Sequence, residues 1–175
     1  MKLLFISLGC DKNLVDSEEM LGMLAADGHE IVDDEDEAEV IIVNTCCFIG
    51  DAKEESVNTI LEMAEKKKAG TCKVLIVTGC MAQRYKKEIS EEIPEVDAIL
   101  GTTSYGDISK AVKEAQAGRH FEEYKSIDFL PDISGKRMLT TGGHFAYLKI
   151  AEGCDKHCTY CIIPRLRGGY RSVPM

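Results

Sequence analysis

Residues Val74 to Cys80 read VLIVTGC, four branched aliphatic side chains followed by Thr, Gly and a cysteine. An apolar run of strand length with no polar alternation fits a strand covered on both faces, as in a parallel sheet held between helices. Similar runs occur at Lys2 to Leu8 (KLLFISL), Val40 to Asn44 (VIIVN) and Asp97 to Leu100 (DAIL), with a weaker one near His29 to Val32.

Amphipathic segments separate these runs. Asp16 with Glu19 resembles a capping box, Met20, Leu21, Met23 and Leu24 form an apolar stripe, and Gly28 suits the end of that helix. Asp51 with Glu54 opens a second helix whose stripe is Val57, Ile60, Leu61 and Ala64, and Lys66 to Lys68 complement its dipole before Gly70. A third runs from about Ala82 to Glu92, before Pro94, and a fourth from about Gly106 to Ala117. The order βαβαβαβα predicts an α/β fold with a doubly wound parallel sheet of about five strands. The expected strand order is the flavodoxin/Rossmann-like 2-1-3-4-5.

Beyond residue 118 the periodicity fades, and Pro131, Gly135, Gly142 and Gly143 mark residues 119–143 as a linker with at most local structure. Residues 144–175 open with Phe145 to Ala151 (FAYLKIA), a run that reads as a strand feeding a cysteine-rich loop. Too short for a domain, this part is expected to be the start of a truncated one, after a first domain spanning residues 1–118.

Composition bounds the function. With 45% hydrophobic and 29% charged residues in 175, the chain has the balance of a soluble globular protein. A net charge of -9 disfavours wrapping a nucleic acid, which requires clustered Lys and Arg. The acidic run Asp33 to Glu39 reads as a solvated face. The first residues resemble a lipoprotein signal, yet the apolar stretch Leu3 to Leu8 is shorter than the ~7 to 15 residues such signals use. No stretch approaches the ~20 apolar residues of a membrane helix, so the expected compartment is cytoplasmic and the eight cysteines are expected to be reduced.

Six of those cysteines form two sets. Cys10, Cys46 and Cys80 each end a predicted strand, and in the order 2-1-3-4-5 the three strands are neighbours about 4.8 Å apart. Their loops therefore converge at the carboxyl edge of the sheet, where α/β proteins bind ligands. Three converging thiolates suit an iron-sulfur cluster with one iron left free of cysteine, or a zinc ion completed by another residue. Cys72, at the far end of its strand, reads as a packing cysteine, and Cys47 as a spare or an alternative ligand. The second set, Cys154, Cys158 and Cys161, lies on one short loop (GCDKHCTYC) and lacks the fourth cysteine of a ferredoxin run. His157 is the residue that would complete a zinc site there.

The spacing CDKHCTYC, with Tyr160 just before the last cysteine, resembles the CxxxCxΦC signature of the radical S-adenosylmethionine (radical SAM) enzymes. That resemblance implies a 4Fe-4S cluster on Cys154, Cys158 and Cys161. Its open iron chelates S-adenosyl-L-methionine, with Tyr160 beside it, and electron transfer cleaves the cofactor to a 5'-deoxyadenosyl radical. It further implies that FAYLKIA is the first strand of a partial TIM barrel.

The segments SLGCDKNLVDSE (Ser7 to Glu18), NTCCFIGDAKEES (Asn44 to Ser56) and VTGCMAQRY (Val77 to Tyr85) resemble the N-terminal domain of the methylthiotransferases. This implies a second 4Fe-4S cluster on Cys10, Cys46 and Cys80, carrying the sulfur to be inserted. A radical is needed because an unactivated C–H bond is out of reach of side-chain acid–base chemistry.

Two branches are similar. The RimO type methylthiolates the β-carbon of an aspartate in the twelfth small-subunit ribosomal protein, and the MiaB type modifies a tRNA adenosine. Lys12-Asn13-Leu14-Val15 favours the RimO type, while Asp11 stands where proline is frequent and Cys47 where glycine is frequent. The implied partners are the ribosomal protein and a reductant such as flavodoxin or ferredoxin, with no membrane and no nucleic acid. The alternative outside the enzyme class is a stand-alone iron-sulfur carrier or sensor. A truncated chain is expected to be inactive by itself.

Overall fold

The computed structural model describes residues 1–131, 135 and 137–174. Part of the predicted linker, residues 132–134 and 136, and Met175 of the last predicted segment lie outside the described residues.

Six parallel strands form one sheet in the order β2-β1-β3-β4-β5-β6. They are β1 (Lys2–Ser7), β2 (Glu30–Ile31), β3 (Val40–Thr45), β4 (Val74–Gly79), β5 (Ala98–Leu100) and β6 (Phe121–Glu123). The helices that cross between them are α1 (Asp11–Ala26), α2 (Gly50–Lys68), α3 (Cys80–Arg84), α4 (Lys86–Glu92) and α5 (Ile108–Gln116).

Alternation along the strands divides the core in two. Ile41, Val43, Leu75 and Val77 face Ile60 and Met63 of α2. Val40, Ile42, Val74 and Ile76 face Met20 and Leu24 of α1 and Val112 of α5. Both central strands are buried along their whole length, which explains their unbroken apolar sequence. Each fully buried Val, Leu or Ile contributes about 1.5–3 kcal/mol, so β3 and β4 anchor everything at their ends.

Three details depart from the sequence reading. The sheet has a sixth strand, β6, inside the segment read as linker; Phe121 N–H donates to the Asp97 carbonyl and Gly101 N–H to the Glu123 carbonyl, 3.0 Å each. The predicted helix at 82–92 is two helices, α3 and α4, because Tyr85 leaves helical geometry (φ −116°, ψ 34°). Helix α1 begins five residues before the predicted cap, so Asp16 is a buried mid-helix residue.

The predicted strand Phe145 to Ala151 is also corrected. Only β7 (Ala151–Glu152) forms, antiparallel to β8 (Arg171–Ser172), with α6 (Ile163–Arg167) between them. Along this segment the polar residue points inward: Lys149 is 8% exposed, whereas Leu148 and Ile150 are 82% and 68% exposed. An ion pair rather than apolar burial fixes its register.

Candidate functional site

The carboxyl ends of β1, β3 and β4 align, with Ser7 opposite Asn44 and Thr45 opposite Gly79. Each chain then turns sharply into a cysteine. Gly9 (φ +96°) and Gly79 (φ +94°) make two of these turns in the left-handed region that other residues avoid. A Cβ on Gly79 would lie 2.5 Å from the Thr45 carbonyl oxygen, and one on Gly9 would lie 2.6 Å from Cys46 Cβ. The turns are therefore packed against each other at van der Waals limits.

Cys10 precedes α1, Cys46 follows β3 and Cys80 opens α3. The three line one cavity of about 930 Å³, together with Lys12, Phe48 and Arg167. Cys10 is exposed, and Cys46 and Cys80 are each 5% exposed. Burial pushes the Cys80 thiol up to about 12, with the Arg167 guanidinium pulling the other way. Cys47 is buried in the core behind α2 and burial raises its thiol too. Cys72 sits before β4 with its thiol 3.0 Å from the Val74 carbonyl. Neither lines the cavity.

One side chain joins the turns. Asn13, fully buried in α1, donates through Nδ2 to the Leu8 carbonyl (2.8 Å) and the Thr45 carbonyl (3.0 Å). Its Oδ1 accepts from Arg167 Nη2 at 2.6 Å and lies 3.8 Å from Cys80 Sγ. Asn13 thus touches all three cysteine turns.

A buried ion cluster lies beside it. Arg167 Nη2 pairs with Asp16 and Nη1 with Glu152, 2.9 Å each, and Lys149 pairs with both carboxylates. Lys12 donates to the Ala151 carbonyl at 2.8 Å. Nearby, Glu18 accepts from Arg137 Nε and from Thr140 N–H, both at 2.7 Å, tying residues 137–140 to α1.

Burial opposes ionisation of Glu152, yet Arg167 and Lys149 outweigh it and hold the carboxyl down at about 2. A depressed carboxyl stabilises the fold above its unfolded value near 4.5, and this contribution is lost as pH falls toward 2. Urea midpoints should therefore decline from pH 5 to pH 2.5, and Glu152→Gln should flatten part of that decline.

The second cysteine set is only partly gathered. Cys158 and Cys161 line a cavity of about 490 Å³ with His157, Tyr160, Arg84 and Arg165; Cys154 is not on its wall. Tyr160 is 87% exposed, and His157 takes a positive φ of 48°. Phe48 lines both cavities, so Cys158 and Cys161 neighbour the first cysteine set. Among the described residues no three His, Cys, Asp or Glu side chains are grouped tightly enough to hold a single metal ion. All eight cysteines are free, and no described helix is long and apolar enough to cross a membrane.

The clamp made by Asn13 and the ion cluster of Asp16, Lys149, Glu152 and Arg167 were not legible from sequence. Their partners lie as far as 154 positions away. The available signal was a lysine in the middle of the apolar run FAYLKIA, which demands a buried counter-charge.

Comparison with known proteins places the chain. The family profile described as "Uncharacterized protein family UPF0004" matches residues 2–101, from β1 to the end of the β5 strand. A protein of Lachnoclostridium phytofermentans named ribosomal protein uS12 methylthiotransferase RimO is 64% identical over the whole chain, which spans 40% of that relative. Proteins of the same name from Clostridioides difficile and Geobacter sulfurreducens are 52% and 50% identical over 98% and 99% of the chain, which spans 39% of each. The chain thus corresponds to the N-terminal two fifths or so of these curated relatives.

Proposed function

Because this chain belongs to the UPF0004 protein family, we propose that it is the N-terminal part of a radical SAM methylthiotransferase that acts on ribosomal protein uS12. The observation that carries this reading is the placement of Cys10, Cys46 and Cys80 around one cavity, with Cys158 and Cys161 of the second set across Phe48.

The donor chemistry fits iron-sulfur groups. Three thiols lining one cavity of about 930 Å³ are the donor set by which proteins hold iron-sulfur clusters. Cys10, Cys46 and Cys80 would hold one 4Fe-4S cluster, and Cys154, Cys158 and Cys161 the other. When bound, such clusters supply the electron that cleaves S-adenosyl-L-methionine and a store of sulfur for insertion.

The chain's own residues prepare that chemistry. Phe48, Ile163 and Leu166 give the first cavity apolar walls, and Lys12 and Arg167 bring positive charge to offset anionic sulfur. In the second cavity Tyr160 offers an exposed ring, while Arg84 and Arg165 offer donors for a carboxylate. On this reading residues 1–118 are a cluster-binding domain, 119–143 a connector and 144–175 the start of the radical SAM part, a partial TIM barrel. A cytoplasmic setting with flavodoxin or ferredoxin as electron donor follows from the same reading.

The test is a chimera. This chain replaces the matching segment of the Lachnoclostridium relative, and a uS12 peptide is followed by mass spectrometry. Gain of one SCH2 by the peptide with the chimera, and none with this chain alone, is the expected outcome. An inactive chimera alongside an active parent enzyme contradicts the reading.

A further inference from the structure

Among the described residues Arg167 is the largest fully buried side chain, 1% exposed, although it ends a five-residue helix. Among the described residues it is the one arginine lining the Cys10, Cys46 and Cys80 cavity. Two of its nitrogens are committed, Nη1 to Glu152 and Nη2 to Asp16 and Asn13. Its Nε is buried and has no acceptor among the described residues. A buried donor left unpaired is costly, and such a group beside a cavity points to an acceptor inside it. The guanidinium and the Cys80 thiol also meet at one atom, Asn13 Oδ1, 2.6 and 3.8 Å away.

We propose that Arg167 is a positioning residue of the N-terminal cysteine site, its spare N–H donating to a sulfur of the anionic group that Cys10, Cys46 and Cys80 hold. This rests on the iron-sulfur reading of those cysteines. Hydrogen bonds to sulfur and a fixed positive charge favour the reduced, more negative state and so raise the reduction potential. The ion cluster holds the guanidinium in place, because Asp16 and Glu152 fix two of its edges while leaving Nε toward neither.

The experiment uses the chain carrying Cys154→Ala, Cys158→Ala and Cys161→Ala, reconstituted anaerobically with ferrous iron and sulfide, so that one cluster reports. At a fixed solution potential, Arg167→Met should lower the reduced-to-oxidised ratio about tenfold, ~59 mV for one electron. Arg167→Lys, which keeps the charge and loses the fork, should fall between. Lys149→Met breaks the same ion cluster away from the cavity wall and should stay within twofold of the parent. An unchanged ratio in Arg167→Met, or an equal shift in Lys149→Met, overturns the assignment.

A second measurement needs no substitution at Arg167. With 15N-labelled arginine, pulsed electron paramagnetic resonance of the reduced parent should detect a weak nitrogen coupling, and its absence overturns the assignment even where the Arg167 variants do not fold. A parent that takes up no iron and sulfide overturns the reading of the cysteines, and the assignment with it.

Discussion

Replacing Asp16 with alanine is expected to destabilise the protein by about 3–5 kcal/mol, a large share of the ~5–15 kcal/mol that typically holds a domain together. Asp16 and Glu152 together balance Lys149 and Arg167, all four at most 5% exposed in their side chains. Without Asp16, one buried cation has no counter-ion, and neither lysine nor arginine reaches water. Asp16→Asn keeps an acceptor and should lose less. Urea unfolding of the metal-free chain measures both. A loss under ~1 kcal/mol for the alanine variant would mean that water enters the cluster.

The second large effect is expected at Asn13. Asn13→Leu keeps the volume but removes the donors to the Leu8 and Thr45 carbonyls and the acceptor for Arg167. Arg167 Nη2 keeps Asp16, so two carbonyls lose this partner, and at about 1–3 kcal/mol each the combined cost is roughly 2–6 kcal/mol. The consequence for the site exceeds the loss of stability, since the turns carrying Cys10 and Cys46 lose their shared clamp. Iron uptake by the folded fraction should fall sharply. Asn13→Asp, which keeps the acceptor for Arg167 and loses the donors, separates clamping from the Arg167 contact. If Asn13→Leu binds iron as the parent does, the clamp is packing alone.

The sheet was readable because its central strands are buried on both faces and so carry no polar residues to blur the pattern. From the strand order alone, the convergence of Cys10, Cys46 and Cys80 followed, and the structure places all three on one cavity. Strand β6 was not readable, since FEE has the composition of a solvated turn and becomes a strand only through its neighbour β5. The run FAYLKIA misled for the opposite reason. Its apolar residues suggested a core strand, but Lys149 is the residue that turns inward, toward carboxylates brought from α1 and β7. Tertiary charge pairing leaves no local periodicity, so Asn13, Asp16 and Arg167 had to be seen in three dimensions.

On our reading the three strand-end cysteines Cys10, Cys46 and Cys80 make one metal site. Its most direct test is iron and acid-labile sulfide per chain after anaerobic reconstitution, in the chain carrying Cys154→Ala, Cys158→Ala and Cys161→Ala. The comparison adds Cys10→Ala, Cys46→Ala and Cys80→Ala. About four irons per chain are expected before the second set of substitutions and less than about one after it. Equal iron in the two chains would mean that Cys10, Cys46 and Cys80 hold no cluster.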